Sequence, residues 1–321
     1  MAILPLDPVH ADRAEGVIAQ AAAELRAGRL VAFPTETVYG LGADATNGVA
    51  LASIFERKGR PRINPLIVHV ADESSARREV TFNPVAAALA EAFWPGPLTL
   101  VLPRAESSRV HDLASAGLPT LGIRVPAHDA ARMLLRAAGI PVAAPSANRS
   151  GEPSPTRAAD VAESLGGDLT ILDGGPCAAG LESTVIGFDD GAPVLLRHGA
   201  TPRADIERIA GVLRAASDDE ARPSSPGRLL RHYAPKGRLR LDASQPEAGE
   251  LFIAFGPSPE GSDGLQLSAQ GDLREAAANL FASLREADRR GAQRIAVAPI
   301  PDEGLGEAIN DRLRRAASAQ A

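Results

Sequence analysis

Lysine stands at only two positions of this chain, Lys58 and Lys236, although Lys and Arg together number 34. The first opens the segment KGRPRINPL (58–66), in which Lys58, Arg60 and Arg62 place three positive charges within five residues and Pro61 fixes the turn. Guanidinium forks and an ammonium at that density suit a triphosphate, whose oxygens accept charge-assisted hydrogen bonds. Cations closing a helix would equally complement its dipole. That second reading leaves unexplained why an arginine-rich chain keeps a lysine here.

Further clusters carry polar groups at the ends of apolar runs. FPTETVYGLG (33–42) offers the hydroxyls of Thr35 and Thr37, and its Gly40 and Gly42 allow close backbone approach. Such polar density suits a binding loop, or an ordinary connection with capping threonines. In TLGIRV (120–125), strand alternation puts Thr120, Gly122 and Arg124 on one face. Arg124 there needs an anion, either a ligand or a structural carboxylate. APSANRSGEPSPT (144–156) brings Ser146, Asn148, Ser150, Gly151 and Ser154, which could wrap a nucleotide or simply make a polar loop. ESTVIGF (182–188) and LLRHG (195–199) add Ser183, Thr184 and Arg197. His69 lies in an apolar run, where a histidine is more often a satisfied sheet residue than a ligand. The pattern G-x-x-x-x-G-K-[ST] is absent, and so are G-x-S-x-G and H-E-x-x-H. P-loop chemistry is excluded, and serine-nucleophile or zinc mechanisms fit poorly.

The elements that must hold these groups alternate. Apolar spacing predicts helices over 11–27, 49–57, 84–93, 129–138, 157–165 and 202–215. Between them, strands are predicted at 30–33, 66–70, 98–102, 120–125, 142–144, 169–172, 184–188 and 194–196. An α/β sheet covered on both faces follows. Residues 217–237 are rich in Ser, Pro, Asp and Arg and read as a linker. Strands at 238–241, 251–255 and 295–298, with helices at 273–290 and 306–317, predict a second, smaller α/β unit.

The length of 321 residues and an apolar share of 45% allow buried cores in two units. With one cysteine, Cys177, there is no disulfide framework and no multi-cysteine zinc site, so Cys177 reads as a small core or loop residue. No apolar run is long enough to span a membrane and residues 1–20 lack a secretory pattern, so a cytosolic location is expected. The net charge of −6 argues against a chain that coats nucleic acid.

FPTETVYGLG, KGRP followed by NPLIVHV, FWPGPLTLVL, TLGIRVPAH, APSANRSGEPSPT, ESTVIGF and LLRHGA together resemble the YrdC-type domain of threonylcarbamoyl-AMP synthases over about residues 30–200. SPGRLLRHYAP (225–235) is similar to the linker of the longer family form, which carries an additional Rossmann-like domain. The resemblance implies a YrdC-like twisted mixed sheet with flanking helices over residues 1–216, a linker or lid over 217–237, and a Rossmann-like α/β domain over 238–321. By the family's pattern Thr35, Arg124 and Ser183 would bind L-threonine, with Ala144 contributing its backbone and His69 a further candidate. Lys58, Arg60, Arg62, Thr120, Ser146, Asn148, Ser154, Arg197 and Tyr233 would form the ATP set. Lys58 and Arg60 would serve catalysis by neutralising phosphate charge. No protein metal site is implied, and Mg²⁺ would enter with ATP, held largely by phosphate oxygens.

The implied reaction joins L-threonine, bicarbonate and ATP into L-threonylcarbamoyl-AMP and pyrophosphate. A separate threonylcarbamoyl transferase would then modify tRNA, so this chain need bind tRNA at most weakly and needs no membrane. Two alternatives belong to other classes: an RNA-binding module of the same fold, and a carbamoyl-handling enzyme with another acceptor. An aromatic content of 3% gives the first few platforms for base stacking. Arg124 and Thr35, which suit an amino-acid substrate, speak against the second. Within SPGRLLRHYAP, one of only two tyrosines, Tyr233, suggests a lid over the nucleotide rather than a passive tether.

Overall fold

The computed structural model of the chain describes residues 2–6, 11–216, 233–258 and 263–319. Strand β1 (Ala2–Pro5) and helix α1 (Ala11–Arg26) lead into β2 (Val31–Phe33) and β3 (Gly40–Asp44). Next come α2 (Gly48–Lys58), β4 (Ile67–His69), α3 (Glu73–Glu79), α4 (Pro84–Phe93) and β5 (Leu98–Pro103). These are followed by α5 (Asp112–Ser115), β6 (Thr120–Arg124), α6 (Asp129–Ala138), β7 (Val142–Ala143), α7 (Ala158–Leu165) and β8 (Thr170–Asp173). The hairpin β9 (Thr184–Asp189) and β10 (Ala192–Arg197) precedes α8 (Arg203–Ala210) and β11 (Arg214–Ala215). After residue 232 the chain forms β12 (Arg238–Arg240), β13 (Leu251–Phe255), β14 (Leu265–Ser268), α9 (Leu273–Arg289), β15 (Arg294–Val297) and α10 (Leu305–Ser318).

Strands β1 to β11 make one 11-stranded mixed sheet in the order β1-β8-β2-β3-β7-β4-β6-β5-β9-β10-β11. The remaining four form a parallel sheet, β12-β15-β13-β14. Side-chain alternation covers the large sheet on both faces: Val31 and Phe33 join the cluster under α1 and α6, while Ala32 between them joins the cluster under α2 and α4. The architecture is therefore mixed α/β with a smaller α/β unit. No helix among the described residues is long and apolar enough to cross a membrane.

Three local differences from the sequence reading have physical causes. The helix expected over 202–215 stops at Ala210, because Gly211 takes φ 75° and breaks the ladder; Arg214–Ala215 then pair with Val194 and Leu195 as an edge strand. Residues 40–42, the end of the expected binding loop 33–42, instead open β3 (Gly40–Asp44), whose two glycines hide its strand character. Residues 2–5 carry no clear alternation but pair in parallel with β8. Of the expected linker, residues 217–232 lie outside the described residues, and so does most of the suggested lid over 225–235.

The two units meet through an apolar contact. Val38 and Leu181 from the first unit sit in one apolar cluster with Tyr233 and with Leu280, Phe281 and Ile309 of α9 and α10. Gly180 (φ 67°) permits this approach, since a Cβ there would lie 2.4 Å from the Cα of Ala278. Cys177 is a buried free thiol, pushed up to about 12 by burial.

Candidate active site

Helix α2 begins on Asn47, whose Oδ1 accepts from the N–H groups of Val49 and Ala50. It ends at Gly59 in the left-handed conformation (φ 61°), which turns the chain so that Lys58 and Arg60 both point inward. Lys58 Nζ donates to Ser146 O at 2.6 Å and to Asn148 O, so the lysine ties α2 to the 144–156 loop. Burial and the neighbouring Arg60 push its amine well below the usual lysine range. Arg60 Nη2 donates to Pro65 O at 2.9 Å and Nε to Asn64 O at 3.3 Å, holding the guanidinium against its own turn. Burial lowers Arg60 to about 10, so it stays charged at neutral pH.

The 144–156 loop is zipped onto the loop that follows β2. Tyr39 N donates to Pro155 O at 2.9 Å, Ala147 N to Tyr39 O at 2.8 Å, and Leu41 N to Pro145 O at 2.8 Å. Gly40 makes the fit possible, because a Cβ there would already lie 3.2 Å from that of Ala144. Asn148 Nδ2 donates to Arg149 O and Glu152 O, at 2.9 and 2.8 Å, while its buried Oδ1 accepts from nothing among the described residues. Tyr39 itself is core, its hydroxyl donating to Gly175 O at 2.8 Å.

Parallel pairing of β4 with β6 sets His69 directly beside Arg124 at the strand ends. Arg124 Nη1 donates to Thr37 Oγ1 at 2.9 Å, and Thr37 Oγ1 lies 2.7 Å from Thr35 Oγ1, which donates to Val38 O at 2.7 Å. The hydroxyls therefore form one directed chain away from the guanidinium. Burial and the adjacent Arg124 push His69 down to about 3, so its imidazole is neutral. Its buried Nδ1 has no hydrogen-bond partner among the described residues, and its ring meets Phe33 edge-on at 6.2 Å.

The β9 and β10 hairpin supplies the opposite wall. Ser183 Oγ lies 2.7 Å from Thr99 Oγ1, and Arg197 Nη2 donates to Ser183 O at 2.8 Å and to Ser183 Oγ at 3.1 Å. Glu182, beside it, accepts from Ser154 Oγ at 2.6 Å.

One cavity results. Thr35, His69, Arg124, Ala144 and Ser183 line it, as do Arg60, Ser146, Arg197 and Tyr233. Lys58, Asn148 and Ser154 are buried behind its wall and act on the loop or on Glu182. Thr120 is a half-buried residue opposite Pro103 at the start of β6, and Arg62 is exposed in the turn after α2; neither lines the cavity. Thr37, Val38 and Glu182 line it without having been assigned from sequence. Glu182 carried a signal, as the acid opening ESTVIGF, but a lone carboxylate among basic motifs reads as a counter-charge.

A cation-lined cavity at the strand ends of a mixed sheet suits anionic ligands. A family model described as "Telomere recombination", covering Sua5, YciO and YrdC, matches residues 23–199, and one described as "Threonylcarbamoyl-AMP synthase, C-terminal domain" matches residues 202–318. A threonylcarbamoyl-AMP synthase of Bacillus subtilis (strain 168) is 42% identical over 94% of this chain and 93% of its own. One of Pyrococcus abyssi is 43% identical over 92% of each chain. The crystal structure of P. abyssi Sua5 complexed with L-threonine superposes with a TM-score of 0.90 at 38% identity, covering 100% of this chain and 98% of that one. Escherichia coli YciO matches 58% of this chain and 90% of its own with a TM-score of 0.52 at 26% identity. The chain belongs to the threonylcarbamoyl-AMP synthase family, a family of nucleotidyltransferase-type enzymes, in its long form with a C-terminal domain.

Proposed function

We propose that this chain condenses L-threonine, bicarbonate and ATP into L-threonylcarbamoyl-AMP and pyrophosphate, and that a separate transferase passes the product to tRNA. The observation that carries the reading is the gathering of Arg124, Arg60 and Arg197 in one buried cavity. Arg124 with the threonine hydroxyls suits an amino-acid carboxylate, and Arg60 with Arg197 suits polyphosphate. A cytoplasmic setting suits ATP as reactant and tRNA as the eventual acceptor.

Threonine's amine adds to bicarbonate with loss of water, giving an N-carboxylate. One of its oxygens then attacks the α-phosphorus of ATP, forming the mixed anhydride as pyrophosphate leaves. The carbamate decomposes readily in water, so a buried cavity that holds it beside the nucleotide supplies both proximity and protection. Arg60 and Arg197 are held by backbone carbonyls and take up phosphate charge without reorganising. A neutral His69 beside Arg124 presents an uncharged face to the amine.

Among the described residues no group of three or more His, Cys, Asp or Glu could hold a metal ion. The cavity's own carboxylate, Glu182, is already engaged by Ser154 and Arg312. Mg²⁺ would therefore arrive on the phosphates of ATP, where it neutralises their charge. The test is pyrophosphate release measured with ATP across a panel of amino acids, with and without bicarbonate. Release should require threonine and bicarbonate together; equal release without threonine, or with any amino acid, would sink the reading.

A further inference from the structure

Glu182 lines the cavity, yet its charge is matched from behind by a residue of the other unit. Arg312, on α10, has no exposed surface. Its Nε donates to Glu182 Oε2 at 2.9 Å, its Nη2 to His198 O at 2.8 Å, and its Nη1 to Asp311. The same guanidinium stands 5.1 Å from the ring centre of Tyr233, which lines the cavity and stacks on Phe281 of α9 at 5.4 Å.

Two features separate this contact from ordinary packing between units. First, the other oxygen of Glu182 accepts from Ser154 Oγ at 2.6 Å, so one carboxylate links α10 to the 144–156 loop. That loop is also gripped by α9, through Arg285 Nη2 on Pro153 O. Second, the geometry solves an electrostatic problem. A bare carboxylate in the wall of a site for polyphosphate would repel its ligand, whereas a paired one can still accept from Ser154. Burial pushes the Glu182 carboxyl up, but Arg312 and Arg197 together hold it down at about 2, so it is ionised and needs its counter-charge.

We infer that Arg312 is a positioning residue of the cavity: without touching substrate, it fixes Glu182, through Glu182 the Ser154 hydroxyl, and the ring of Tyr233 where the nucleotide is received. The second unit is then a working part of the site, not an appendage. The inference rests on the reading of the cavity as an ATP site. A buried ion pair is by itself weak evidence for a stabilising role, and removing one partner leaves the other charged and unpaired. Both facts shape the test.

ATP and L-threonine affinities are measured by calorimetry on the full chain for the wild type, Arg312→Met, Glu182→Gln and the double variant, each checked for folding by circular dichroism and thermal midpoint. Arg312→Met should weaken ATP binding by about tenfold or more and leave threonine binding, at the Arg124 end, within about twofold. The double variant should recover most of that loss, since it removes the uncompensated carboxylate while an amide oxygen can still accept from Ser154. A purely structural role would lower both affinities together, in step with the thermal midpoint, with no recovery in the double variant. That result, or a folded Arg312→Met with wild-type ATP affinity, overturns the inference. Where Arg312→Met does not fold, Arg312→Lys decides: it keeps the charge but not the forked bonds, and should bind ATP several-fold more weakly with threonine unaffected, whereas wild-type ATP affinity overturns the inference. Wild-type protein that binds no ATP overturns the reading of the cavity itself, and this inference with it.

Discussion

Glu36 Oε1 lies 2.7 Å from Nη2 of Arg124, so the guanidinium proposed to receive the carboxylate of threonine already faces a carboxylate of the chain. Both residues are nearly buried, with side-chain exposures of 14% and 4%. Burial pushes the Glu36 carboxyl up, but Arg124 and the backbone N–H of Ala127 more than offset it, and the group sits below its ordinary value. The pair meets by charge and proximity, the N–H groups of the guanidinium not squarely directed at the carboxylate. Such a contact is readily exchanged for a substrate carboxylate that can approach the fork squarely.

Glu36→Gln should therefore tighten threonine binding, by roughly threefold to tenfold, because a neutral amide competes less well for the arginine. The measurement is threonine affinity by calorimetry, with ATP affinity as the control. Weaker threonine binding would show instead that the Glu36 carboxylate serves the substrate, as a partner for its ammonium.

The two arginines of KGRPR should separate cleanly. Arg60 is buried and lines the cavity, whereas Arg62 is exposed two residues on. Arg60→Ala should cost about tenfold or more in kcat/KM for ATP, as loss of a charge-assisted contact implies. Arg62→Ala should stay within about twofold. Equal losses from both would mean that the turn closes further onto the nucleotide than it does here.

Lys58 presents a different case, because its Nζ spends two donors on the carbonyls of Ser146 and Asn148. Lys58→Met would orphan two buried acceptors, at about 1–3 kcal/mol each, and loosen the loop that holds Ser146. Activity and thermal midpoint should fall together. Activity lost at unchanged stability would instead point to direct phosphate contact.

These cases show how far residue types alone reach. The alternation of apolar strands with capped helices was legible because both periodicities are strong, as in β5 and α6. Thr35, Arg124, Ser183 and Arg197 each stood out as a polar group at the end of an apolar run, but only the family's pattern implied that they belong together, and in the structure they line one cavity. What escaped was set by contacts far apart in sequence. Nothing in DRLRR marks Arg312 among the many arginines, since its role appears only when α10 docks on Glu182. Glu36 was visible as a polar loop residue, but its pairing depends on how β2 and β6 sit in the sheet.

Stability should depend on pH in two windows, one opening near pH 6.5 and the other near 4.5, which overlap down to about 3. His69 titrates near 3 in the folded chain against an ordinary 6.5, so between those values only the unfolded chain takes up its proton. Its contribution is intact above about 6.5 and declines as pH falls toward 3. Glu182, at about 2 against 4.5, adds a second loss that begins only below about 4.5. His69→Asn should flatten the fall in thermal midpoint between about pH 6.5 and 5, where Glu182 does not yet contribute. An unaltered slope in the upper window would assign it to other groups.

Glu182 and Arg312 are separated by 130 residues, and Pro153 and Arg285 by 132. Contacts of that reach require long loops to close before any interaction rewards the closure. The braces of the cavity wall are thus in place only where both units are folded and docked. A chain cut between the units would keep Arg60, Arg124 and Arg197 and lose the arginines that brace Glu182 and Pro153.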